Sequence, residues 1–111
     1  MYACRETPLL IASRRGFLSI VKELIRQGGD VNAVNNHNVS SLCVSALMGH
    51  EPVVMCILEA KPDITIAEST SKRTALHFAA MGGNESIVSA LLRHGAEDYP
   101  DAEGKFARDY A

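Results

Sequence analysis

Cys43 and His77 are the two residues of this 111-residue chain whose side chains could add up to covalent catalysis, a thiolate nucleophile beside an imidazole base. They fall at corresponding places in successive copies of a repeated segment, so stacking of the copies makes them neighbours. Packed helix axes stand about 8 to 10 Å apart, which is farther than a nucleophile and its base can bridge directly. A cysteine-dependent enzyme using Cys43 with His77 is therefore the alternative reading. The favoured one has His77 hydrogen-bonded to backbone and Cys43 packed as a small apolar residue. His37 and His94 are expected to be exposed. Cys4, Cys43 and Cys56 form an odd set without a CxxC pair. That argues against a disulfide framework and against a zinc site, and it suits a reducing compartment. No metal and no cofactor is expected.

The elements that would position these residues are clearest between Thr74 and Asp98. A short apolar helix pattern, Leu76 to Met81, follows a hydroxyl residue and breaks at Gly82 and Gly83. An amphipathic pattern then resumes, with Ile87, Val88, Leu91 and Leu92 forming one stripe at helical period. Ser86, Ser89, Ala90 and Arg93 lie off that stripe. Gly95 supplies the stop. The first helix is too short to persist alone, because nucleation costs more than so few turns recover, so the unit needs a neighbour.

Neighbours occur at spacings of 33 and 34 residues: Thr7-Pro8-Leu9, Ser40-Ser41-Leu42 and Thr74-Ala75-Leu76 align, as do Gly16, Gly49 and Gly83. The second-helix stripes align too, Ile20, Val21, Leu24 and Ile25 with Val53, Val54, Ile57 and Leu58, and these with Ile87, Val88, Leu91 and Leu92. A period near 33 made of a turn and two helices resembles the ankyrin repeat. Thr74-Ala75-Leu76-His77 and Thr7-Pro8-Leu9-Leu10 look like that family's TPLH opening, Gly49-His50 like its central GH, and Gly29-Asp30-Val31-Asn32-Ala33 like its ADVNA hairpin.

The resemblance implies an all-α repeat solenoid of stacked helix-turn-helix units joined by β-hairpin loops. Repeats run over about 5–34, 35–68 and 69–98, within a single domain spanning 1–111. Repeat two is degenerate: Ser40-Ser41 lacks the proline, Cys43 replaces the histidine, and Lys61-Pro62 replaces the Gly-Ala stop, with Pro62 left to end the helix. Its following loop, Asp63 to Arg73, has one extra residue and is expected to be the most mobile. Segment 99–111 looks like the opening of a fourth unit, with Asp101, Gly104 and Asp109-Tyr110-Ala111 in place, and reads either as a polar cap or as a partial repeat at the cut edge of a longer protein; Lys105, Arg108 and Asp109 favour the cap.

The family's function implies protein binding through the hairpin tips and the exposed face of the inner helices. Matched position by position, this gives Glu6, Arg14 and Arg15, then Asn36, His37, Val39, Leu47 and Met48, then Thr70, Ser71, Arg73 and Met81, with Glu103 and Lys105 at the end. An apolar centre of Leu47, Met48 and Met81 between basic flanks suggests an apolar partner segment with acidic neighbours. Leu24, Asp30, Val31 and Asn32 also resemble, gap for gap, the pattern that ankyrin hairpins present to the 2-oxoglutarate-dependent asparaginyl hydroxylase. Asn32 is thus a candidate for hydroxylation, weighed against a plain turn-stabilising role.

Composition sets the outer limits. With 47% hydrophobic and 22% charged residues the chain reads as a soluble globular protein, and no apolar run approaches a membrane span. Met1-Tyr2-Ala3 leaves little room for a secretion signal, so cytoplasm or nucleus is expected. Net charge is −2: residues 1–30 carry five basic and three acidic groups, residues 97–111 five acidic and two basic. Neither end is basic enough for nucleic acid. The expected state is a monomer that binds another protein and contacts neither nucleic acid nor membrane.

Overall fold

The computed structural model describes residues 6–110, so Cys4, the Arg5 start of the first unit and Ala111 lie outside the described residues. Six helices follow one another as three antiparallel pairs: α1 Pro8–Arg15 with α2 Leu18–Arg26, α3 Ser41–Met48 with α4 Glu51–Glu59, and α5 Ala75–Met81 with α6 Glu85–Arg93. A 3-10 turn, Ala107–Tyr110, packs on α5. The inner helices α1, α3 and α5 stack in one layer and the outer helices α2, α4 and α6 in a second.

Each inner helix starts on a hydroxyl residue. Thr7 Oγ1 accepts from Leu10 N at 3.1 Å, with Pro8 in the first turn, and Ser40 Oγ accepts from Cys43 N at 3.2 Å. At Thr74 the arrangement differs, because the backbone N–H of Thr74 donates to Nδ1 of His77 at 3.1 Å. The exit from α1 shows why glycine is required. Gly16 sits at φ +76°, and a Cβ built there would stand 2.7 Å from Nδ1 of His50, which lies flat against it.

The buried face of α6 is rotated from the predicted stripe. Ile87 and Leu91 are fully buried and so is Ala90, off the stripe; Val88 is half-buried and Leu92 is 51% exposed. Ala90 has no bulk to give a periodicity signal. In α4 all four stripe residues, Val53, Val54, Ile57 and Leu58, are buried, whereas in α2 Ile20 is exposed. A stripe residue is buried only where a neighbouring pair stands against it.

The loops are less regular than β-hairpins. Among the described residues there is one isolated antiparallel bridge, Val34 to Ser40. Side chains take over the work of a ladder at the tips. Asn35 Oδ1 accepts from His37 N and Val39 N at 2.8 and 3.1 Å, Glu68 Oε1 from Thr70 N and Ser71 N at 3.1 and 2.6 Å, and Asp101 Oδ1 from Glu103 N and Lys105 N at 2.9 Å each. The extra residue of the second loop falls between Glu68 and Lys72, and Lys72 takes the left-handed place held by Asn38 and Gly104. A lysine also replaces glycine at the end of α4. Lys61 is left-handed at φ 55°, the position of Gly28 and Gly95, so the helix stop comes from Lys61 as well as from Pro62.

The loop expected to be most mobile is tied on both sides. Ser69 N donates to His37 O and Asn38 Nδ2 to Ala67 O on one edge, and Ala102 N donates to Ser71 O on the other, all within 2.9 Å.

Candidate functional site: the exposed face of the inner helices

Neighbouring pairs are locked together by histidines. The ring of His50 meets the Arg14 carbonyl at 2.8 Å through Nε2, which ties the start of α4 to the end of α1. His77 is fully buried; its Nδ1 accepts from Thr74 N, so Nε2 carries the proton and donates to Lys105 O at 3.1 Å. Both nitrogens are thus spent on backbone. Cys43 is buried with its Sγ 3.6 Å from Ile66 O, and desolvation pushes its thiol above the ordinary range. In this arrangement both side chains are engaged with backbone and not with each other. His37 and His94 are exposed, although His94 Nδ1 lies 2.9 Å from Ala90 O.

The residues matched to the binding face separate into two groups. Leu47, Met48 and Met81 are 40%, 48% and 39% exposed at the ends of α3 and α5. Leu47 and Met81 hold the place that Arg14 has in α1, and Met48 that of Arg15, so they line up across the inner layer. Arg15, Asn36, His37, Thr70, Glu103 and Lys105 are also exposed.

The second group is engaged within the chain. The Glu6 carboxylate pairs with Arg14 and accepts from Asn35 Nδ2 at 2.9 Å. Arg73 donates to Tyr110 Oη at 3.2 Å, stands 3.6 Å from Asp101, and lies 5.3 Å from the centre of the Tyr110 ring. Lys105 approaches that ring too, at 5.7 Å. Ser71 donates to Glu68, and Val39 is half-buried against the core. Of the three arginines read as basic flanks, Arg14 and Arg73 already face carboxylates of this chain. Arg15 is exposed.

The sequence marks Asp101 and Tyr110 as parts of a further unit, but not as the hub of the last loop. Tyr110 donates to the buried Asp101, whose second oxygen caps the loop, and these bonds hold the Asp101 carboxyl at about 2. Tyr110 also meets His77 edge to face at 6.1 Å. An Asp three residues before a Gly was the available signal, the same spacing that separates Asn35 from Asn38.

Among the described residues no group of three or more His, Cys, Asp or Glu could hold a metal ion, and no helix is long and apolar enough to cross a membrane.

Comparison with known proteins agrees with this architecture. The family model described as ankyrin repeats (3 copies) matches residues 1–68, and the one described as ankyrin repeat matches residues 71–105. Relatives include the E3 ubiquitin-protein ligase XBAT33 of Arabidopsis thaliana, 35% identical over 78% of this chain, and the ankyrin repeat and SAM domain-containing protein 6 of Mus musculus, 33% identical over 84%. The ankyrin repeat and KH domain-containing protein mask-1 of Caenorhabditis elegans is 36% identical over 80%. The chain spans only 17%, 11% and 3% of these relatives' own lengths. Ankyrin repeats generally mediate protein–protein interaction, and this chain, with its three stacked helix pairs, belongs to the ankyrin repeat family.

Proposed function

We propose that the chain is a non-catalytic, monomeric binding module of the cytoplasm or nucleus that holds an apolar segment of a partner protein on the exposed face of its inner helices. The observation that carries this reading is the alignment of Leu47, Met48 and Met81, three large flexible side chains left open at the ends of α3 and α5. Methionine adapts to varied apolar shapes, and a row of such residues outside the core is the feature expected of a docking surface. The loops beside it are already bonded to one another, so little order is lost on binding. Since Glu6 and Asp101 occupy Arg14 and Arg73, the acidic preference of the partner reduces to one contact at Arg15.

Segment 99–111 acts in this reading as a cap on the inner layer, and the units keep the bounds 5–34, 35–68 and 69–98. The ligase activity named for some relatives stays with those proteins; in a longer protein this module would supply recognition. A photoreactive residue at Met48 or Met81 should crosslink to the partner on irradiation, and the same group at Glu59 on the outer layer should not. Crosslinking from Glu59 alone would move the site to the outer helices.

A further inference from the structure

Met48 and Gly82 hold the same place relative to successive inner helices, yet one carries a long side chain and the other none. Arg15 fills that place in α1, so one row across the inner layer reads Arg15, Met48, Gly82, beside the row of Arg14, Leu47 and Met81. The backbone gives no reason for glycine at 82. Its φ is −79° and its ψ −6°, a right-handed conformation open to residues with a Cβ. A Cβ built on it would meet, as its nearest atoms, the carbonyl oxygens of Leu47, Phe78 and Ala79 at 3.5 to 3.7 Å, which is ordinary van der Waals contact. Nor does the left-handed stop fall on Gly82. Gly83 supplies that at φ +71°, in the place where Gly16 ends α1 at +76° and Gly49 ends α3 at +77°.

Gly82 thus costs backbone entropy relative to alanine, and neither turn geometry nor close packing offsets it. What its missing side chain leaves is space. Gly82 is exposed and lies against the end of α3, where Leu47 is 40% and Met48 48% exposed, and Met81 precedes it at 39%. The apolar row therefore has a notch at its α5 end, one side chain wide.

We infer that Gly82 sets the specificity of the inner face, because its notch takes one bulky apolar side chain of the partner segment; this rests on the reading of that face as a docking surface. Inner helices stack about 8 to 10 Å apart and an extended chain advances about 3.3 Å per residue, so every third residue of an extended segment stands over the next helix. The exposed Arg15 suits a carboxylate, the protruding Met48 a small apolar residue, and the notch a large one. The segment that fits is extended, with acidic, small apolar and bulky apolar side chains at three-residue intervals.

The test is binding of the end-capped peptide Asp-Ser-Ser-Val-Ser-Ser-Phe to the full chain with isotope-labelled methionine methyls, beside a twin of the same composition in which Val and Phe are exchanged. The Met48 and Met81 methyls should move, and that of Met55, packed against the core, should not. The first peptide should bind about tenfold tighter than its twin, and Gly82→Met should abolish that preference. Gly82→Ala, whose Cβ is accommodated, should hold or raise the thermal midpoint. A fall in that midpoint would show that the backbone requires glycine and would overturn the inference. Equal affinity for the two peptides, or a preference that survives in Gly82→Met, would overturn it too, with the moved methyls leaving the docking surface itself standing. Unmoved Met48 and Met81 methyls would remove the surface and the notch together.

Discussion

Val54 and Val88 hold the same place in successive outer helices, yet Val54 is fully buried and Val88 only half, because α6 lies over the first and no described helix lies over the second. Burial in this fold is a property of neighbours more than of sequence, and each pair draws its stability from the next.

The centre of the stack should thus govern cooperativity. Val54→Ala removes two methyl groups from a site that cannot collapse easily, at an expected cost of ~1 to 3 kcal/mol. Urea unfolding followed by circular dichroism and by tyrosine fluorescence should show one coincident transition at a lower midpoint. Two separated transitions would mean that the outer pairs fold without the central one.

Acid should loosen the last loop before the helices. The Asp101 carboxyl is held at about 2, well below the usual carboxylate range, first by the Tyr110 hydroxyl. A depressed carboxyl stabilises the fold fully above its unfolded value, and that contribution fades as pH falls from about 4 toward 2. Tyr110 and Lys105 resonances should shift in that window in the native chain, and Asp101→Asn should show the loosened positions already at pH 7. Identical spectra for the two proteins at neutral pH would remove Asp101 from this role.

Lys61 and Lys72 occupy left-handed backbone where the equivalent positions hold Gly28 and Gly95 in the first case and Asn38 and Gly104 in the second. That conformation costs a residue with a Cβ roughly 1 to 2 kcal/mol, offset in part by the greater freedom glycine has when unfolded. Lys61→Gly and Lys72→Gly should each raise the thermal midpoint, by a net ~0.5 to 1 kcal/mol in stability. A lower midpoint for both would show that the lysine side chains contribute contacts that outweigh the strain.

Asn32 joins the first two loops: its Oδ1 accepts from Asp63 N at 2.7 Å, while its own N–H donates to Asp30 Oδ1 at 2.9 Å. Asn32→Ala should therefore cost about 0.5 to 1.5 kcal/mol. The side chain is exposed, which keeps hydroxylation open as a proposal. Incubation with an asparaginyl hydroxylase, iron and 2-oxoglutarate should add one oxygen to the peptide containing Asn32. No mass gain, with a control ankyrin domain modified in parallel, would leave Asn32 a structural residue only.

The helix pairs were legible in sequence because Thr7, Ser40 and Thr74 mark helix starts and Gly16, Gly49 and Gly95 mark ends through local chemistry alone. The ends of the stack were not legible. Ile20 and Leu92 carry the same stripe signal as Val53 and Leu58, and only the presence of a covering neighbour separates them. The binding face was half legible for a similar reason. Exposure of Leu47, Met48 and Met81 follows from helical phase, whereas Arg14 and Arg73 meet Glu6 and Asp101 through contacts between loops that periodicity does not encode.

A binding role for the inner face rests on the row of Leu47, Met48 and Met81. Its most direct test is the affinity of the crosslinked partner for Leu47→Ser combined with Met48→Ser, measured beside the thermal midpoint of the same protein. Both side chains are about 40 to 50% exposed, so binding should weaken at least about tenfold with the midpoint nearly unchanged. Undiminished affinity, or a large fall in midpoint, would contradict the assignment.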